Sequence, residues 1–234
     1  MTRGVMPVFL LTLVLAGTSA TEAQVLRPSE LCSEHSLAAI ATFEDANLEA
    51  QIRAALSVGD RDDLTCGLVS GLTEFDAGRS GIASLVGIQN LTGLMVLNLG
   101  SNPFSDISAL SGLTGLTELR LWRTVIPDLG PLSGLTGLTE LHLGGGAISD
   151  LSPLSGFTSL TDLRLGGNVI SDLGPLSGLT SLTVLHLQNS SISDISALSG
   201  LTGLTLLLLN NNSISDLSAL SWLTDLTELW LDEN

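Results

Sequence analysis

Residues 113–134 read LTGLTELRLWRTVIPDLGPLSG, and residues 135–156 repeat them as LTGLTELHLGGGAISDLSPLSG, one period of 22 later. The same period extends outwards in both directions. Copies stand at 91–112 (LTGLMVLNLGSNPFSDISALSG), 157–178 (FTSLTDLRLGGNVISDLGPLSG), 179–200 (LTSLTVLHLQNSSISDISALSG) and 201–222 (LTGLTLLLLNNNSISDLSALSW), and LTDLTELWLDEN begins another at 223. Ahead of Leu91 a degenerate copy keeps Leu72, Phe75, Ala77, Ile82, Leu85 and Ile88 at the apolar positions. A fixed period of this length marks a solenoid, in which each copy is one turn of the chain.

Within a copy, the alternation at Leu119 and Leu121 puts both leucines on one face of a short strand, with Glu118, Arg120 and Trp122 on the other. The asparagine that closes the strand segment (Asn102, Asn168, Asn212) has the donors and acceptor to bond turn backbone within and between coils. Serine-aspartate pairs such as Ser149-Asp150 suit the start of a 3₁₀-like turn. Thr124, Gly146 and Ser190 replace that asparagine, so their coils are expected to have weaker turn ladders. One coil offers about seven apolar side chains at roughly 2 kcal/mol each, against roughly 1.5 kcal/mol of ordering entropy per residue, so it cannot fold alone. Stability is therefore collective, and the ends of the array need caps. At the front, Asp45 is placed to cap a helix whose Leu48, Ile52 and Leu56 recur at four-residue spacing.

The pattern resembles the 22-residue leucine-rich repeat of bacterial internalin-like proteins, L-x-x-L-x-x-L-x-L-x-x-N-x-I-x-D-I/L-x-x-L, over residues 69–234, and FEDANLEAQIRAAL is similar to the short helical segment that often caps such arrays. The resemblance implies an α/β solenoid, a right-handed superhelix with a parallel concave β-sheet, a convex side of 3₁₀ turns and an N-terminal helical cap. It also implies adhesion or host contact for some members, an analogy at the level of fold that does not transfer residue by residue.

The remaining sequence gives the expected organisation: a signal peptide at 1–23, a cap region at 24–68 and the array at 69–234. Met1 to Ala23 carries Arg3, an apolar stretch from Val5 to Ala16 and small residues ending at Ala20 and Ala23, which reads as an export signal cleaved after Ala23, with Ala20 as the competing site. The apolar run is shorter than the roughly 20 residues of a membrane-spanning helix, so no membrane insertion is expected after cleavage. The expected location is secreted, periplasmic or cell-surface. Cys32 and Cys66 are the only cysteines, and an oxidising compartment makes them a disulfide pair. Acids outnumber bases 24 to 8, and the formal charge of −16 sets the molecule against nucleic acid and anionic membrane. All eight bases are arginine, and 44% hydrophobic residues argue against disorder. The last copy stops at Asn234, on its turn asparagine. Either the chain is a fragment of a longer reading frame, or its last strand is an exposed edge open to self-association.

Three columns face outward from the expected sheet: Glu74, Val96, Glu118, Glu140, Asp162, Val184, Leu206 and Glu228; Asp76, Asn98, Arg120, His142, Arg164, His186, Leu208 and Trp230; and Gly78, Gly100, Trp122, Gly144, Gly166, Gln188, Asn210 and Asp232. Glu118, Arg120, Trp122, Glu140, His142, Asp162, Arg164, His186 and Trp230 are the candidate binding residues: a charged stripe with two aromatic anchors of the kind that dominate binding hot spots. The competing reading is that acid and base two residues apart neutralise one another and add little. His142 and His186, two rungs apart, are too far from each other to share a metal. No serine or cysteine nucleophile, oxyanion-hole motif or paired acids accompany them, so no catalytic residue, metal or cofactor is expected. The partner expected is a protein of unspecified identity. Alternatives are a structural spacer for a missing module and, from the ranks of threonines such as Thr117, Thr139 and Thr161, a surface- or ice-binding face.

Overall fold

A computed structural model of the chain describes residues 23–234, so the export signal expected over 1–23 lies, Ala23 apart, outside the described residues. Each coil contributes one three-residue strand: β1 Glu74–Asp76, β2 Val96–Asn98, β3 Glu118–Arg120, β4 Glu140–His142, β5 Asp162–Arg164, β6 Val184–His186, β7 Leu206–Leu208 and β8 Glu228–Trp230. They form one sheet in chain order. Every pairing is parallel and shifted by one repeat, as in Glu118↔Glu140, Leu119↔Leu141 and Arg120↔His142. The central leucines Leu97, Leu119, Leu141, Leu163, Leu185 and Leu207 are fully buried. A core made of such ranks uses each leucine against both neighbouring coils, which is how copies too small to fold alone become stable together.

The convex side is a series of short 3₁₀ turns, among them Ser108–Leu110, Gly130–Leu132 and Ser152–Leu154. From Ser108–Leu110 onward each is opened by an aspartate: Asp106, Asp128, Asp150, Asp172, Asp194 and Asp216 accept the backbone N–H two residues on, at 2.7–2.8 Å. The aspartate column is thus spent on turn capping. The threonine rank on the strand side is also structural. Thr117, Thr139, Thr161, Thr183, Thr205 and Thr227 each donate Oγ1–H to the carbonyl one coil earlier, at 3.0–3.1 Å.

The turn asparagines stitch adjacent coils. Asn168 donates Nδ2–H to the carbonyls of Leu143 (3.0 Å) and Leu165 (2.6 Å), and its Oδ1 accepts from the Ile148 amide at 3.1 Å. Asn102 and Asn212 repeat the pattern. Where the asparagine is replaced the ladder breaks, as expected: the Thr124 and Ser190 hydroxyls are buried without a partner. Restoring it as Thr124→Asn or Ser190→Asn should stabilise the protein by about 1 kcal/mol each, read as a rise in Tm of roughly 2–4 °C by thermal melting. No change in either variant would refute this account of the ladder. Gly146 is a poorer site, because a Cβ there would crowd Asn168 Oδ1 and the Thr124 carbonyl, both at 3.1 Å.

At the front, α1 (Ala46–Leu56) seals the first coil with Leu48 and Ile52, both fully buried. Asp45 caps this helix as its sequence predicts, accepting from the amides of Asn47 and Leu48 through Oδ1. Its second oxygen accepts from the Ala83 and Ser84 amides, so one side chain both starts the helix and ties it to the array. Burial works to raise the Asp45 pKa, but the four backbone hydrogen bonds outweigh it and hold the carboxyl below its ordinary value. A short α2 (Cys66–Val69) follows. Cys66 is disulfide-bonded to Cys32 across 34 positions, with Cα atoms 5.4 Å apart. Asn90, buried at the end of the first coil, accepts from the Cys32 amide and donates to the Glu30 carbonyl, fastening the disulfide loop to the array.

Candidate functional site

The register places Arg120, His142, Arg164 and His186 in one rank across β3 to β6, beside the rank Glu118, Glu140, Asp162 and Val184. All are half-buried on the open face of a sheet whose other face is solid core. Arg120 bridges two coils: Nη2 lies 2.9 Å from Glu118 Oε2 and 2.8 Å from Glu140 Oε1. Arg164 clasps Asp162 of its own strand with Nε at 3.0 Å and Nη2 at 2.8 Å. The two arginines of the rank are thus matched by acids, as the self-neutralising reading expects. His142 Nε2 stands 3.0 Å from Glu140 Oε1 and 3.7 Å from Asp162 Oδ1, without a well-aligned hydrogen bond to either.

Burial acts to raise the Asp162 pKa, yet the contacts with His142 and Arg164 prevail and hold its carboxyl far below the ordinary carboxylate range. Because the folded pKa is depressed, the stability this carboxylate supplies is present above the unfolded value and lost as pH falls towards the folded one. The stability gap between wild type and Asp162→Asn should therefore be largest at neutral pH and narrow as pH drops below about 4. Melts of both proteins across that range test it, and a pH-independent gap would count against the ion-pair account. His186 is pushed the other way in charge: burial first, then the nearby Arg164, lower its pKa and favour the neutral ring.

Beside this rank the third column opens into a recess of about 550 Å³. Trp122 and Gln188 lie close over the backbones of Gly100 and Gly166, where an added Cβ would meet them at 2.5 Å and 2.4 Å. Between them Gly144 leaves the floor bare, and His142, Arg164, His186, Arg79 and Arg123 complete the lining. The two extra arginines come from a fourth column outside the three that strand alternation reveals: Arg79, Ser101, Arg123, Gly145, Gly167, Asn189, Asn211 and Glu233, all at positive φ. This left-handed residue turns the chain out of the strand in every coil, which is how residues past the sheet reach the recess. The Arg79 guanidinium sits 5.2 Å from the centre of the Trp122 ring, a cation–π distance.

The candidate residues therefore divide. Trp122, His142, Arg164 and His186 line one recess, while Glu118, Arg120, Glu140 and Asp162 form the ion-paired border next to it. Trp230 stands apart on β8, donating Nε1–H to Glu228 Oε1 at 2.8 Å beside the apolar Leu206 and Leu208 of β7. Sequence reasoning missed Arg79 and Arg123, although continuing the columns one position further finds both. Among the described residues, no group of three or more His, Cys, Asp and Glu comes together to hold a metal ion.

A family model described as leucine-rich repeats (2 copies) matches residues 158–200. Among solved structures, an internalin (inlF) from Listeria monocytogenes is 40% identical with a TM-score of 0.78, over 80% of this chain and 56% of that one. An internalin C2 (inlC2) from the same organism is 33% identical with a TM-score of 0.70, over 80% of this chain and 93% of that one. The chain thus spans little more than half the length of the first of these. No curated protein matches it.

Proposed function

The chain belongs to the internalin-like leucine-rich repeat proteins, and from that premise we propose that it is an exported, non-catalytic recognition module whose concave sheet binds a protein. The observation that carries this reading is the rank of basic side chains, Arg120, His142, Arg164 and His186, displayed one per coil on a rigid face with Trp122 alongside. A stacked sheet fixes the spacing of such groups at about 4.8 Å, so little ordering entropy is lost when a partner docks. The internal ion pairs support the reading, because a partner acid must arrive with better geometry than Glu118, Glu140 or Asp162 already offers, which favours selectivity over bulk attraction. The cysteine pair suits an oxidising compartment.

The test compares partner recovery by immobilised wild type, Arg120→Glu plus Arg164→Glu, and Trp122→Ala. Proteins retained by wild type should be lost at least tenfold from both variants, at unchanged circular dichroism. Equal recovery by all three would overturn the assignment of the concave face.

A further inference from the structure

We propose that the recess between Trp122 and Gln188 is a binding site for an acidic saccharide: a uronic-acid residue held by its carboxylate, with its hydroxyls facing the polar atoms of the wall. The inference goes beyond protein recognition, although it places the ligand on the same concave face. Its first support is charge that no acid among the described residues pairs with. In a chain of formal charge −16, Arg79 and Arg123 both line the recess, and neither has an ion-pair or side-chain hydrogen-bond partner among the described residues. Arg120 and Arg164, by contrast, are committed to Glu118, Glu140 and Asp162.

The second support is the mixture of unspent polar atoms. Gln188 Oε1 and His186 Nε2 are buried without a hydrogen-bond partner, and both residues line the same recess. Gln188 Oε1 can only accept, whereas the guanidiniums of Arg79 and Arg123 can only donate. A bare inorganic anion satisfies donors alone. A sugar acid supplies a carboxylate for the arginines and hydroxyl donors for the amide oxygen in one ligand. The bare glycine floor at Gly144 and Gly145 gives a flat ring room to lie against backbone. It offers no deep apolar socket of the kind that anchors a peptide side chain.

The experiment uses the chain from residue 24 to 234 and four probes: tetragalacturonate, its methyl ester, a neutral tetrasaccharide and a tetraglutamate peptide, each titrated by calorimetry at about 50 mM and about 500 mM salt. Tetragalacturonate should bind at least tenfold more tightly than its methyl ester and than tetraglutamate, and should weaken as salt rises. Arg79→Gln plus Arg123→Gln should lose at least tenfold in affinity, and Gln188→Ala, which removes the amide and with it the acceptor, should also weaken binding. Both arginines are exposed, and melting each variant confirms that it is folded. No binding of tetragalacturonate at millimolar concentration, equal binding of the ester, unchanged affinity in the double variant, or equal affinity for tetraglutamate would each overturn the proposal. Arg79 and Arg123 are unchanged in the partner-recovery test, and the Arg79→Gln plus Arg123→Gln variant keeps Trp122 and Arg164, which also line the recess. Full partner recovery by that variant with loss of tetragalacturonate binding therefore tells failure of one reading from failure of the other.

Discussion

Asn168→Ala should destabilise the protein by about 3–5 kcal/mol, because three buried backbone groups depend on that one side chain. Its amide nitrogen serves the Leu143 and Leu165 carbonyls, its oxygen serves the Ile148 amide, and the side chain is 5% exposed. None of the three groups has another backbone partner outside the helices and strands. Truncation therefore removes three hydrogen bonds and leaves three desolvated polar groups behind, whereas an ordinary surface substitution changes stability by about 0.5 kcal/mol or less. Thermal melting should show a fall of roughly 10 °C. Asn168→Asp should be nearly as damaging, since a carboxylate keeps the acceptor but faces two carbonyls with no donor. A loss below about 1 kcal/mol in Asn168→Ala would mean that water replaces the side chain and that the ladder contributes little.

The second large effect is expected from Cys32→Ala plus Cys66→Ala. The bridge closes a loop across 34 positions, and removing it should cost about 4 kcal/mol in the chain-entropy model. The loss falls first on the cap. Stability in a stacked array spreads only between neighbours, so α1 and the first coil should lose amide-exchange protection well before the coils around β5. The hydrogen bonds of Asn90 to Cys32 and Glu30 and of Asp45 to Ala83 and Ser84 hold the cap from the array side. If protection instead falls evenly along the chain, the cap and the array form one cooperative unit and the expected order of unfolding is wrong.

The sheet was legible residue by residue because a 22-residue period without insertion leaves only one register that keeps the leucines inside. Arg120 falls beside His142, and His142 beside Arg164, without any knowledge of side-chain conformation. The aspartate caps and turn asparagines were legible for the same reason: their chemistry is local and recurs in every copy. The recess was not, because it depends on features that alternation does not encode. Trp122 and Gln188 lie over Gly100 and Gly166 and so leave Gly144 open, which is a matter of side-chain direction. Arg79 and Arg123 sit one residue beyond the last alternating position, at a backbone turn with φ of 59° and 53°. Nor does spacing reveal that Arg120 spans two strands while Arg164 pairs within one. Those partners show which charges of the stripe are neutralised: Arg120 and Arg164 are paired with Glu118, Glu140 and Asp162, whereas Arg79 and Arg123 have no acid partner among the described residues.

The threonine hydroxyls that reach back one coil, in register from Thr117 to Thr227, have a mechanical consequence. Because each coil is held to the next by the same short row of bonds, tension between the two ends would release one turn at a time. A freed turn of 22 residues pays out about 70 Å of thread while the stack shortens by only about 4.8 Å. Such a chain would lengthen in even steps under load, where a rigid rod would part all at once.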